Sequence, residues 1–133
     1  MAKTIKLEKL QKDLERWPGS WAGTDSDIPI GKEIVEVMRL FLAAMVADQF
    51  AYTTINRHIN GLWLLGGEII YRINMDPELK GLNGKQLIME FVDEEGGPLS
   101  RHLSTEPEQR TFDATCKKFH RFITQGSGPG TKP

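Results

Sequence analysis

The chain has 133 residues, of which 39% are hydrophobic and 26% charged, with a formal net charge of -1. These values fit a single ordinary globular domain and exclude a disordered chain, and the missing basic excess separates it from dedicated nucleic-acid binders, which depend on neutralising phosphates. Apolar runs such as Phe41 to Val46 and Leu62 to Leu65 are too short to cross a bilayer, and Met1-Ala2-Lys3-Thr4 lacks signal-peptide character. The single Cys116 cannot form an internal disulfide, so the expectation is a cytoplasmic protein held together by packing.

From Thr4 to Trp17, Leu7, Leu10, Leu14 and Trp17 recur at spacings of three and four, the stripe of an amphipathic helix. Pro18-Gly19 is expected to stop it, and Ser20 to Pro29 reads as a loop in which Trp21 joins Trp17 over one end of the core. A second helix is expected from Pro29, with Asp27 as its cap and Ile34, Val37, Met38, Phe41, Leu42 and Met45 as its apolar face. It should end near Asp48 to Ala51. Thr53 or Thr54 is expected to cap a third helix carrying Ile55, Ile59, Leu62 and Trp63.

Gly66-Gly67 costs about 1 kcal/mol per glycine in a helix interior, so either the helix breaks there or another backbone packs against it. Glu68 to Asn74 would form a further short helix before Asp76-Pro77. Asn83 can cap a helix over Gly84 to Glu94, with Leu87, Ile88, Phe91 and Val92 inward and Gly96-Gly97-Pro98 beyond it. Thr105 and Glu108 have capping-box spacing ahead of a long last helix with Phe112, Cys116, Phe119, Phe122 and Ile123. The sum is an all-α fold, a compact bundle of five or six helices over residues 1–124, followed by a disordered tail over 125–133.

Charge is unevenly distributed. Residues 1–16 and residues 101–121 each carry five basic and three acidic side chains, whereas residues 76–95 carry two basic and six acidic ones. Cys116 and His120 lie four apart with Asp113 three before the cysteine, a spacing that could approach a metal but falls short of a four-ligand set; inward packing of Cys116 is favoured. Glu90 and Asp93-Glu94-Glu95 read as a solvated helix end, slightly disfavoured by the helix dipole. No phosphate loop, dinucleotide fingerprint or metalloprotease pattern occurs, which points away from an enzyme and gives no metal or cofactor to expect.

The segment from Ala51 to Gly66 follows a long helix through a short polar turn and opens with Thr53, Thr54, Asn56 and Arg57. Such side chains contact phosphates and base edges when a helix start faces DNA, and a helix-turn-helix presents its second helix in this manner. The plainer reading is a core helix with polar exposed positions. Phe41-Leu42, the turn, and Thr54-Ile55-Asn56-Arg57-His58-Ile59-Asn60-Gly61-Leu62 resemble the N-terminal core-binding domain of tyrosine recombinases, a SAM-like helical domain. The likeness covers about residues 30–74. It implies a DNA-contacting helical module without strand cleavage, since the family's catalytic Arg, His and Tyr domain has no counterpart here.

Two functions follow as expectations. One is a non-catalytic DNA-binding or DNA-associated module using Thr53, Thr54, Asn56 and Arg57, helped by Lys117, Lys118 and Arg121. Its requirement is a continuous positive surface joining the two groups. The other is a protein-interaction or homo-oligomerising domain in which Trp17, Trp21, Trp63 or Phe119 meets a partner, because aromatic side chains are enriched at interface hot spots.

Overall fold

A computed structural model describes residues 6–100 and 102–125. It consists of α1 (Leu7–Trp21), α2 (Asp27–Ala47), α3 (Tyr52–Met75), a 3-10 turn (Pro77–Gly81), α4 (Gly84–Phe91) and α5 (Glu106–Gln125). Among the described residues there is no strand, only an isolated bridge between Asp93 and Gly96. The all-α bundle read from the sequence is the fold. No helix among the described residues is long and apolar enough to cross a membrane. The expected helix start at Thr4 lies outside the described residues, as does the expected tail apart from Gln125, which belongs to α5.

The apolar stripes meet in one core. Leu10, Leu14 and Trp17 of α1, Met38, Phe41, Leu42 and Met45 of α2, and Ile55, Leu62, Leu65 and Ile69 of α3 are all buried. Each fully buried side chain of this size contributes about 1.5–3 kcal/mol relative to exposure. The capping box expected before α5 is formed: Thr105 Oγ1 accepts from the Glu108 amide at 3.3 Å and Glu108 Oε1 accepts from the Thr105 amide at 3.1 Å. Asn83 and Gln86 form the same device at α4.

Several boundaries differ from the sequence reading for identifiable reasons. Pro18 does not end α1. Its ring is buried against Gly31 of α2, where an added Cβ would stand 3.1 Å from Pro18 Cβ, and the helix continues one turn to Trp21. That last turn is fixed from outside: Trp21 Nε1 donates to the Trp63 carbonyl at 3.0 Å, and Trp63 Nε1 donates to Ser20 Oγ at 3.1 Å. Asp27 is the first residue of α2 rather than its cap, and its Oδ2 accepts from the amides of Gly23 at 2.8 Å and Thr24 at 3.1 Å. Asn74 Nδ2 also donates to it at 3.2 Å, so this buried carboxylate ties the α1–α2 loop to the far end of α3.

Gly66-Gly67 does not break α3, which runs unbroken for 24 residues. The close neighbour is a side chain rather than a backbone: the Trp21 indole lies so near Gly66 that any Cβ there would overlap it. α4 stops at Phe91, short of the expected Glu94, and the acidic run therefore lies in the following turn. There Asp93 Oδ1 accepts from the amides of Glu95 at 2.8 Å and Gly96 at 3.1 Å, so that carboxylate already satisfies local backbone.

Candidate nucleic-acid interface

The start of α3 is set by how α2 ends. The Phe50 amide donates to the Met45 carbonyl at 3.1 Å and the Gln49 amide to the Val46 carbonyl at 3.1 Å, the paired bonds of a Schellman motif. Its left-handed position is held by Gln49 (φ 59°) rather than by glycine. The chain reverses, and Ala51 then caps α3 with no side-chain hydrogen bond and no acidic residue in the first turn. Thr53 and Thr54 therefore do not cap the helix; they lie within its first turn. The amide dipoles at this terminus keep their partial positive charge uncompensated by a carboxylate in that turn.

Of the residues singled out from the sequence, Thr53, Asn56, Arg57, Lys117 and Arg121 are exposed, and Thr54 and Lys118 are half-buried. The fold brings Arg57 and Lys118 together through His58. This imidazole is 4% exposed, and its Nδ1 lies 2.8 Å from Thr115 Oγ1 of α5. Its ring packs edge-on to Phe41 of α2. Burial pushes the imidazole down to about 4, with the positive charges of Lys118 and then Arg57 adding to the effect. Gly61 permits the close crossing of α3 and α5, because a Cβ there would come within 2.9 Å of the Thr115 side chain. Lys118 Nζ sits 4.9 Å from the centroid of Phe50, at the α2–α3 turn.

Arg57 and Asn56 diverge. Arg57 lines a groove of about 350 Å³ between α3 and α5, with Leu64, Leu103, Thr111 and Phe112. Glu108 lines the same groove, but its Oε1 is occupied by Ser104 and Thr105, and it forms no ion pair with Arg57 among the described residues. Asn56 instead faces α1, across a cleft of about 410 Å³ shared with Tyr52, Ile59, Lys6, Lys9, Leu10 and Asp13. Lys6 and Lys9 on one side and Lys118 of α5 on the other thus reach the start of α3. Lys6, Lys9 and Tyr52 were not singled out from the sequence; the basic tally of residues 1–16 was the available signal, and it lacked a partner until α1 was placed beside α3.

The other constellations resolve differently. Cys116 is fully buried, and burial, together with the charges of Asp113 and Asp93, pushes its thiol upward, away from a reactive thiolate. Asp113 Oδ1 accepts from the Gly97 amide at 3.1 Å and from Gln109 Nε2 at 3.0 Å, which pins the Gly96-Gly97 turn to α5. Among the described residues no three His, Cys, Asp or Glu side chains gather as metal ligands. Phe119 is wholly buried and Trp17 is 8% exposed, so neither can meet a partner as the interaction reading expected. Trp63 is 42% exposed and shares the outer side of α3 with Tyr71 and Met75. Comparison with protein-family models, with curated proteins and with solved structures finds no match to this chain.

Proposed function

We propose that this chain is a non-catalytic DNA-binding or DNA-associated module that meets the phosphate backbone with the start of α3. The observation that carries the reading is the convergence of cations there: Arg57 and Lys118 flank the buried His58, and Lys6 and Lys9 stand on the α1 side. Lys117 and Arg121, both exposed on α5 near Lys118 in sequence, are the further cations of this reading, and Thr53 is an exposed hydroxyl in the first turn of α3. A net charge of -1 is compatible with this arrangement because the acidic side chains of residues 76–95 belong to a different part of the chain. A local positive surface steers association even on a neutral molecule. The likeness of residues 30–74 to a recombinase core-binding domain supports the same reading, and a cytoplasmic location goes with it.

The test is fluorescence-anisotropy titration of a labelled random duplex at about 50 mM and about 200 mM salt. Four to six phosphate contacts would weaken binding by roughly two to three orders of magnitude across that range. Arg57→Ala and Lys118→Ala should each weaken it at low salt and flatten the salt slope. Absence of binding at either salt would overturn the proposal.

A second reading, homo-oligomerisation through α3, is favoured by the exposure of Trp63 (42%), Tyr71 (37%) and Met75 (66%) along one side of the helix, with Leu99 at 79%. Sedimentation equilibrium decides it: a monomer at micromolar concentration removes this reading, and a dimer lost on Met75→Glu supports it.

A further inference from the structure

The groove between α3 and α5 is lined mainly by apolar side chains, and its charged lining residues, among those described, are Arg57 and Glu108. Leu64, Leu103, Pro107 and Phe112 form the walls, and the buried Gly61 and Thr115 form the floor. The two helices run in opposite directions, because Lys118 meets Phe50 just before α3 while Thr115 meets His58 and Gly61 further along it. Arg57 therefore stands at the Thr115 end. At a rise of about 1.5 Å per residue, Glu108 lies about 10 Å away along α5, toward the other end. The Thr115 hydroxyl is already taken by His58 Nδ1 at 2.8 Å. Glu108 Oε1 accepts from the Ser104 amide and hydroxyl at 3.2 and 3.3 Å and from the Thr105 amide and hydroxyl at 3.1 and 3.0 Å. The Thr105 hydroxyl first, then the Ser104 amide, hold its carboxyl below the ordinary value, so it stays ionised. The Arg57 guanidinium, in contrast, has no hydrogen-bond or ion-pair partner among the described residues.

We infer that this groove binds a small apolar monocarboxylate, with its carboxylate on Arg57 and its hydrocarbon body against Leu64, Leu103 and Phe112. Charge complementarity selects the anion. Arg57 is an uncommitted cation beside an apolar wall, and a planar guanidinium offers a carboxylate two parallel N–H donors. Glu108 selects the valence: a second carboxylate on the ligand would approach an ionised side chain of the same sign at the far end. Between these ends the floor has no hydroxyl to spare, so the body of the ligand is held by apolar contact. A groove of about 350 Å³ is at the small end of the range for ligand sites, which restricts the occupant to a small molecule. The inference does not rest on the DNA reading; the two share only Arg57.

The experiment titrates the isotope-labelled full chain with three probes of equal chain length, heptanoate, heptan-1-ol and heptanedioate, and follows the backbone amide chemical shifts. Heptanoate at up to about 10 mM, a range suited to so small a ligand, should shift the amides of Gly61, Thr111 and Thr115 and leave those of Gly66 and Gly67 in place. It should bind about fivefold more tightly than heptan-1-ol, the upper value for an exposed ion pair, and more tightly than heptanedioate. Arg57→Gln should lower heptanoate to the affinity of heptan-1-ol. Glu108→Gln, which keeps the acceptor of the capping box, should admit heptanedioate as well. Thr111→Trp fills the groove from an exposed position and should abolish the shifts without lowering the melting temperature. Equal affinity for heptanoate and heptan-1-ol, or an Arg57→Gln protein that binds heptanoate as before, would overturn the inference. So would shifts that fall outside the groove, or no shifts at all.

Discussion

The two ends of α3 are built on opposite terms. Around Gly66 the helix is locked: the Trp21 indole fills the space of a missing side chain, and Trp21 and Trp63 tie α1 to α3 through reciprocal indole hydrogen bonds to Trp63 and Ser20. Around its start the helix has no side-chain cap, and it is held instead through the buried His58, whose Nδ1 lies 2.8 Å from Thr115 Oγ1 of α5, with Arg57, Lys118, Lys6 and Lys9 about it and the Asp13 carboxylate in the cleft toward α1.

The largest effect that should separate the two ends is at the aromatic hub beneath the charged one. Phe41 is wholly buried, 5.2 Å from Phe119 and 5.3 Å from Phe122 between ring centroids, and Phe41→Ala should cost about 4 kcal/mol in urea unfolding. Acidification comes next. The folded His58 sits at about 4 against an ordinary value of 6.5, so the unfolded chain takes up the proton first. Stability should therefore fall as pH drops from about 6.5 to about 4, by as much as about 3 kcal/mol at 1.36 kcal/mol per unit. Acid also titrates carboxylates, so the quantity to read is the difference in pH slope between the protein and His58→Gln; identical slopes would contradict this assignment.

At the locked end, Gly66→Ala should destabilise by about 2 kcal/mol, because the indole must move to admit a methyl group. Its duplex affinity, measured well below the melting temperature, should be unchanged if the ends are independent. The smallest effect has the opposite sign. Gln49→Gly relieves a left-handed residue in the α2–α3 turn and should add up to about 1 kcal/mol of stability, seen as a higher urea midpoint with the same slope.

What could be read from the sequence was what lies close along the chain. The amphipathic stripes of α1, α2 and α5, the Asn83 cap and the Thr105–Glu108 box depend on neighbours three or four residues away, and all are present. Pro18, Gly66 and Asp27 were misjudged because their partners are Gly31, Trp21 and Asn74, which periodicity does not connect to them. The candidate surface divides in the same way. Thr53 and Arg57 share a helical face, as their spacing requires, but Asn56 turns toward α1, and the arrival of Lys118 on one side and Lys9 on the other depends on how α1 and α5 cross α3.

The placement of the tryptophans has an optical consequence. The chain contains three, and Trp17, Trp21 and Trp63 all lie where α1 ends beside α3, with the Trp17 and Trp21 rings 5.7 Å apart between centroids. Intrinsic emission is therefore a gauge of that end alone. The eleven residues of helix from Tyr52 to Trp63 place it about 16 Å from the cationic start of α3. A ligand settling there should leave the emission maximum where it was, whereas parting of α1 from α3 should move it to the red.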